Sequence, residues 1–350
     1  MAYTTIDNPE LYFQTKLYTG NDTDDHAITL DGNEDMSPNL VWIKSRALTH
    51  NHQIHDTVRG VTKHISSDVA NAEATEATGL KSFDSDGFTL GTWDSVNVAS
   101  SGTYVAWNWK AGTSFTNDAS STGIGSIDST GSVNTDAGFS IISYTGTGSN
   151  ATIAHGLGVT PDVIIAKSRA SVEGWGFFHS SFSSQEYMFL NTTSPKGSAS
   201  TVWNALPGSA VFTVGSNGSV NASGTMIAYC FAEKQGYSKF GSYTGNGNAD
   251  GTFVYTGFKP AFVILKKTSA TDDWHLFDNK RDTYNMMETN LRPNSTGADS
   301  TTMVDIDFLS NGVKLRNSDD NGNASGTTYI YIAFAEAPFV NSNGVPCNAR

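Results

Sequence analysis

Residues 325–336 read SGTTYIYIAFAE, residues 223–233 read SGTMIAYCFAE and residues 101–110 read SGTYVAWNWK. Large side chains fall on alternate positions of each copy: Val105, Trp107 and Trp109; Ile227, Tyr229 and Phe231; Ile330, Ile332 and Phe334. Smaller residues occupy most positions between them. A period of two predicts a β-strand, because successive side chains point to opposite faces of a sheet. We therefore expect the closing strand of a β-sandwich, with its bulky face toward the opposite sheet.

Four further landmarks precede each copy in the same order. They are a Tyr-Thr-Gly turn (18–20, 144–146, 243–245), a proline followed by an apolar strand and a lysine (38–45, 161–168, 260–268), an aromatic or His-rich strand (52–56, 175–179, 274–278) and a Gly-bounded strand. A set of landmarks repeated in order indicates a triplicated structural unit. The sequence predicts an all-β protein of three tandem related antiparallel β-sandwich (jelly-roll-like) domains.

The repeat predicts where the domains begin and end. The expected segments are an N-terminal arm (1–15), repeat 1 (16–111), a Gly/Ser/Thr/Asp-rich linker (112–138), repeat 2 (139–233), repeat 3 (237–336) and a C-terminal tail (337–350). The linker composition fits either a flexible segment or an ordered loop laid along a neighbour. Asn-Gly pairs at 217–218, 246–247, 311–312, 321–322 and 343–344 predict tight hairpin turns.

Charge and composition exclude several classes of partner. The chain has 350 residues and a net charge of −13, from 21 basic and 34 acidic residues. This balance repels nucleic acid and anionic membranes, so we expect neither direct nucleic-acid binding nor membrane insertion. The first residues lack the basic start and apolar run of a signal peptide, which predicts synthesis without export. Cys230 and Cys347 are too few for a disulfide scaffold.

Two short motifs raise the question of a metal site. His50 and His52 lie at i and i+2 with His55 nearby, and two histidines on one face of a strand can bind a metal ion. His52 aligns with Trp274 of the third repeat, however, which favours a packing role. Residues 84–87 read DSDG like the start of a calcium loop, but the acidic residue required at its twelfth position is missing. We predict a polar hairpin turn at 84–87, and no metal or cofactor.

Enzyme motifs are missing from the sequence. It contains no G-x-S-x-G, P-loop, Rossmann or H-E-x-x-H motif. A glycosidase needs two opposed carboxylates, and the three repeats share no acidic pair that would have been copied with the fold. We predict that the protein is not an enzyme and name no catalytic residue.

The repeats resemble a family of phage proteins. Residues 243–267 (YTGNGNADGTFVYTGFKPAFVILKK), the closing strands and the opening MAYTTIDNPELYFQTKLYTG are similar to repeat-containing tail-fibre-like virion structural proteins of marine tailed bacteriophages. The resemblance implies a virion protein assembled in the host cytoplasm, most simply a tail fibre or receptor-binding appendage contacting the host surface. Head decoration is one alternative, and a carbohydrate-binding or carbohydrate-active β-protein is another.

The resemblance also implies partners. They are other virion proteins and, as a further candidate, a host-surface glycan. The protein is also expected to form a homo-oligomer, most simply a trimer. Three tandem domains could instead supply a pseudo-threefold arrangement within one chain.

Candidate contact residues lie outside the repeated landmarks. Trp93 and Trp203 fall in loops, where exposed aromatic rings stack on sugars or partner proteins; alternatively, each covers a local hydrophobic gap. Tyr12 and Phe13 form a candidate docking arm, or else start the first strand. The remaining tryptophans, Trp42, Trp107, Trp109, Trp175 and Trp274, are predicted to be packing residues.

Overall fold

Antiparallel β-sheet dominates the computed structural model, which describes residues 3–99 and 102–348. Unit 1 contains β1 (Phe13–Thr19), β2 (His26–Thr29), β3 (Leu40–Ser45), β4 (Gln53–Asp56), β5 (Lys63–His64), β6 (Ala74–Thr75), β7 (Leu80–Asp84), β8 (Gly87–Leu90), α1 (Asp94–Asn97) and β9 (Thr103–Trp109), after a 3-10 turn at Pro9–Leu11. Unit 2 contains β10 (Thr113–Asn117), α2 (Ala119–Thr122), β11 (Ser129–Asn134), β12 (Phe139–Gly146), β13 (Ala151–Ala154), β14 (Val163–Ser168), β15 (Gly176–His179), β16 (Glu186–Phe189), β17 (Gly197–Ser198), β18 (Val211–Val214), α3 (Gly218–Asn221) and β19 (Gly224–Phe231). Unit 3 contains β20 (Ser238–Thr244), β21 (Phe253–Tyr255), β22 (Phe258–Lys267), β23 (Trp274–Asp278), β24 (Ile306–Leu309), β25 (Gly312–Leu315), α4 (Asp320–Asn323) and β26 (Thr328–Pro338).

The same strand order recurs in the main sheet of each unit. It is β1-β9-β3-β4 in unit 1, β12-β19-β14-β15 within an eight-stranded sheet in unit 2, and β20-β26-β22-β23 in unit 3. A smaller sheet accompanies each main sheet: β2-β8-β7, β13-β18 and β21-β25-β24. Every ladder between these strands is antiparallel, which confirms the predicted all-β class. The closing strand lies inside each main sheet and is paired on both edges.

The bulky faces of the three closing strands meet in one central core. The ring of Trp109 lies 6.3 Å from that of Phe231 and 5.6 Å from that of Phe334, so one cluster joins all three units. The expected orientation is therefore wrong. The compact face, with Tyr104 and Ala106 in unit 1, packs in a separate cluster with residues of the smaller sheet. The reason is that the space shared by the three units has to be filled at close-packed density, which the large side chains of all three closing strands do.

Residues 112–138 contain regular structure. Strands β10 and β11 pair with each other, and β11 pairs with β12, so this segment extends the main sheet of unit 2. Units 1 and 3 show no strand at this position in the described part of the chain. Three of the Asn-Gly turn predictions are wrong: Asn217 caps α3, the pair at 321–322 lies inside α4, and the pair at 246–247 lies in the loop from β20 to β21, which belong to different sheets. In the first two places the Asn side chain or its neighbour begins a helical turn rather than a hairpin.

The long segment after the fourth main-sheet strand of each unit packs on the next unit. Trp175 Nε1 of unit 2 donates to the carbonyl of Ser66 in unit 1, at 2.9 Å. Trp274 Nε1 of unit 3 donates to the carbonyl of Phe189 in unit 2, at 3.3 Å. A third bond, from unit 1 to unit 3, closes the series, and the three units form a ring within one chain. Within the described residues, the helices are one turn long, and none could span a membrane.

Candidate functional site

His52 makes the third hydrogen bond of this ring. Its Nε2 lies 3.0 Å from the carbonyl oxygen of Arg292 in unit 3, and its Nδ1 accepts from Trp42 Nε1 at 2.8 Å. Because a carbonyl only accepts, the imidazole is neutral with its proton on Nε2. Burial, followed by the nearby Lys44 cation, holds the pKa of His52 well below its ordinary value. His52 thus does what the indole N–H of Trp274 does in unit 3, as the repeat alignment predicts.

The neighbouring histidines do not assemble into a metal site. His55 is buried and its Nδ1 lies 3.0 Å from the carbonyl of Lys63, while burial, with the Arg59 cation second, lowers its pKa to about 3. Among the residues that the structure describes, no group of three His, Cys, Asp or Glu side chains is arranged to hold a metal ion. At 84–87, Asp84 pairs with Gly87 across a two-residue turn, which confirms the predicted hairpin.

Two buried ion pairs lie at equivalent places in units 1 and 3. Arg59 Nε lies 2.5 Å from Asp56 Oδ2, and both side chains are fully buried. Arg281 Nε lies 2.6 Å from Asp278 Oδ2 in the same setting. The closing strand of another unit reaches each aspartate: the Tyr229 hydroxyl donates to Asp56 at 2.7 Å, and Trp107 Nε1 donates to Asp278 at 3.1 Å. Each pair therefore locks one unit to the next.

A second acid extends each ion pair across the junction. Glu73 lies 3.5 Å from Arg59 Nη1 and accepts from Arg169 Nε of unit 2 at 2.8 Å. Asp299 accepts from Arg281 Nη1 at 3.0 Å and from Arg46 Nε of unit 1 at 2.8 Å.

Unit 2 departs from this pattern. His179 and Phe182 stand where the aspartate and arginine stand in the other units, and His179 Nε2 donates to the carbonyl of Tyr331 in unit 3, at 3.2 Å. Burial lowers the pKa of His179 to about 4.

Three equivalent lysines end the Pro-to-Lys strands and are buried. Lys44 Nζ donates to the carbonyl of Ser45 at 2.7 Å, Lys167 Nζ to that of Ala70 in unit 1 at 3.2 Å, and Lys266 Nζ to that of Thr193 in unit 2 at 3.3 Å. Burial lowers the pKa of each to about 8. The repeated lysine was visible in the sequence, but its burial at the unit junctions was not predicted.

The predicted contact tryptophans differ in their surroundings. Trp203 is only 2% exposed and its Nε1 donates to the carbonyl of Phe177 at 3.2 Å, so the expectation of an exposed loop ring is wrong for Trp203. It fills a gap beside Phe178 because an indole ring gains more from burial than from exposure. Trp93 is partly buried and packs on the ring of His64, 4.6 Å away.

The proposed docking pair lies against the body of the protein. Phe13 starts β1 and is buried in the central core, stacked on Phe334 with ring centroids 5.4 Å apart, which agrees with the alternative interpretation as a strand start. Tyr12 is partly exposed and packs edge-on against Tyr237. Before them, the Thr4 hydroxyl donates to the carbonyl of Gln235 at 2.7 Å. Residues 3–12 therefore follow the surface near unit 3.

The hairpin of β10 and β11 forms a groove that sequence reasoning missed. We call this the hairpin groove. Its volume is about 460 Å³, and its lining includes Tyr12, Lys110, Phe115, Asn134, Asp136 and Gly156. A second hollow of about 380 Å³ adjoins it and shares Phe115 and Gly156. The signal that could have revealed it is Phe115, a single aromatic residue in an otherwise small and polar segment.

One family model matches nearly the whole chain. Residues 8–338 match a family described as a domain of unknown function (DUF7483). No curated protein matches the sequence. The match covers all three units and both buried ion pairs.

Proposed function

The chain belongs to the DUF7483 family, and from this premise we propose that it is a phage virion structural protein of the tail-fibre or receptor-binding class, built as three tandem β-sandwich domains of related fold. The sequence resemblance suggests the virion. The recurrence of one main-sheet strand order in all three units supports the three domains.

The observation that carries the proposal is the closed ring of three units. Each unit is tied to the next by hydrogen bonds, two of the junctions hold a fully buried ion pair, and one aromatic core lies at the centre. Removing one member of a buried pair leaves an uncompensated charge, so the units resist separating. A rigid body with loops on its outside is what an appendage needs to withstand force and present a binding surface.

We propose a role without catalysis. The most deeply buried carboxylates among the described residues, Asp56 and Asp278, are each engaged by an arginine and by a donor from another unit, so neither is free to transfer a proton. The partners proposed are other virion proteins, with host-surface glycan as a further candidate. A threefold arrangement already exists within one chain, which supports the alternative that the isolated protein needs no homotrimer.

Labelling of purified particles tests the proposal. Gold-labelled antibodies, viewed by electron microscopy, should decorate the tail or its appendages. Label on the capsid would instead support head decoration. Absence of the protein from purified virions would overturn both structural roles. Light scattering of the recombinant protein at micromolar concentration distinguishes a monomer from a homotrimer.

A further inference from the structure

The hairpin groove belongs to unit 2 alone. It is built by β10 and β11, which precede the repeated part of the unit, and closed on one side by Tyr12 and Lys110 from unit 1 and its N-terminal segment. The repeated main sheet does not require the hairpin, since units 1 and 3 form the same sheet without one. Insertions in single copies of a repeat often lie on the binding face of a repeat protein.

The groove contains polar groups with no partner among the described residues. The Tyr12 hydroxyl, the Lys110 ammonium and the Asp136 carboxylate make neither a hydrogen bond nor an ion pair there. Partial burial, and second the nearby Asp136 charge, raise the pKa of Tyr12 above its ordinary value. Asn134, by contrast, is fully engaged: its amide donates to the carbonyl of Lys110 and accepts from the N–H of Ala137. The free groups offer a donor cation, an acceptor anion and a hydroxyl.

An aromatic ring lies between the two hollows. Phe115 is partly exposed and rests on Gly156, where a Cβ atom would lie 2.8 Å from the ring. Gly156 has φ +72°, a conformation that other residues rarely adopt, so glycine suits this position for two reasons. The missing side chain at Gly156 therefore leaves room for the Phe115 ring, which lines both hollows.

We infer that the hairpin groove binds a neutral saccharide. Aromatic rings pack against the C–H faces of sugars. Sugar hydroxyl groups accept hydrogen bonds from an ammonium, donate them to a carboxylate, and do either with a phenol. One cation and one anion make the groove neutral overall, which disfavours phosphate or sulfate, as does the net charge of −13. Its volume falls in the range of roughly 300–1,000 Å³ typical of small-ligand sites.

This inference deepens the proposed receptor-binding role, because it names where the protein would bind and which class of molecule. It rests on that proposal only for its biological setting. The two can fail separately: particle labelling locates the protein, whereas binding to isolated glycans tests the groove.

A glycan microarray carrying neutral and anionic microbial polysaccharides tests the inference with the full chain. We expect binding to at least one neutral glycan. Phe115→Ala and Asp136→Ala should each weaken it by about tenfold or more, which corresponds to the loss of one packing ring or one charged hydrogen bond. Tyr284→Ala is the matched control, because Tyr284 is 80% exposed on unit 3, far from this hairpin in sequence.

Three results would overturn the inference: no glycan bound by the folded protein, binding confined to anionic glycans, or binding unchanged in both groove variants. Asp136 is exposed, so Asp136→Ala should fold even if Phe115→Ala does not. Circular-dichroism melting curves establish that each variant tested is folded.

Discussion

Replacing Asp56 by asparagine should destabilise the whole ring. The substitution keeps the shape of the side chain but leaves the guanidinium of Arg59 fully buried, with Glu73 at 3.5 Å as its nearest remaining acid. Removing one partner of a buried ion pair costs about 3–5 kcal/mol. Asparagine has a single acceptor oxygen, so it cannot accept both from the backbone N–H groups of Val58 and Arg59 and from Arg59 Nε and Tyr229, as the two carboxylate oxygens do. Glu73 compensates part of the lost charge, so we expect a cost of about 3 kcal/mol in the free energy of unfolding.

Urea denaturation followed by tryptophan fluorescence measures this cost. The matched control is Asp31→Asn, because Asp31 is half exposed and pairs with Lys16 and Lys280 at 3.3 and 3.4 Å on the surface. Exposed pairs contribute about 0–1 kcal/mol, so this variant should unfold close to the wild-type midpoint. If Asp56→Asn were no less stable than Asp31→Asn, the Asp56–Arg59 pair would not lock units 1 and 2 together.

Three further predictions concern pH and packing. Acid should destabilise the protein, because burial lowers the folded pKa of His55 to about 3 and that of His179 to about 4, whereas unfolded histidine has a pKa of about 6.5. Melting temperatures should therefore fall as the pH drops below that value, and an unchanged melting temperature between pH 7 and pH 5 would contradict this. Mild alkali should have the opposite effect, because the pKa of each of the three buried lysines is about 8 in the folded protein and about 10.5 in the unfolded chain. The free energy of unfolding should therefore rise between about pH 7.5 and 9, and a value that stays constant or falls over this range would argue against burial of these lysines. Trp203→Ala should lower the free energy of unfolding by about 3–5 kcal/mol, as expected when a buried ring is removed from the core. Trp93→Ala should lower it clearly less, because the Trp93 ring is partly exposed, and equal decreases in the two variants would refute this difference in burial.

The junction between units 2 and 3 shows which structural features an alignment of the repeats can predict and which it cannot. Aligning the repeats places His179 opposite Asp56 and Asp278, and Phe182 opposite the two arginines. That substitution shows in the sequence that one junction differs from the others. It does not reveal that Asp56 accepts from Tyr229 of another unit, because an alignment shows which positions are equivalent and not which of them are in contact.

Local alternation and repetition determined the strands. The period of two in the closing strands depends on neighbouring residues in one segment. The ordered landmarks and the alignment of His52 with Trp274 come from comparing such segments between repeats. The structure confirms an antiparallel all-β protein with those strands. The tertiary structure alone decided which face of each closing strand points to the centre, that Trp203 is buried, and that β10 and β11 enclose a groove. Each of these depends on contacts between segments far apart in the chain, and a pattern read along one segment carries no information about which distant surface will cover it.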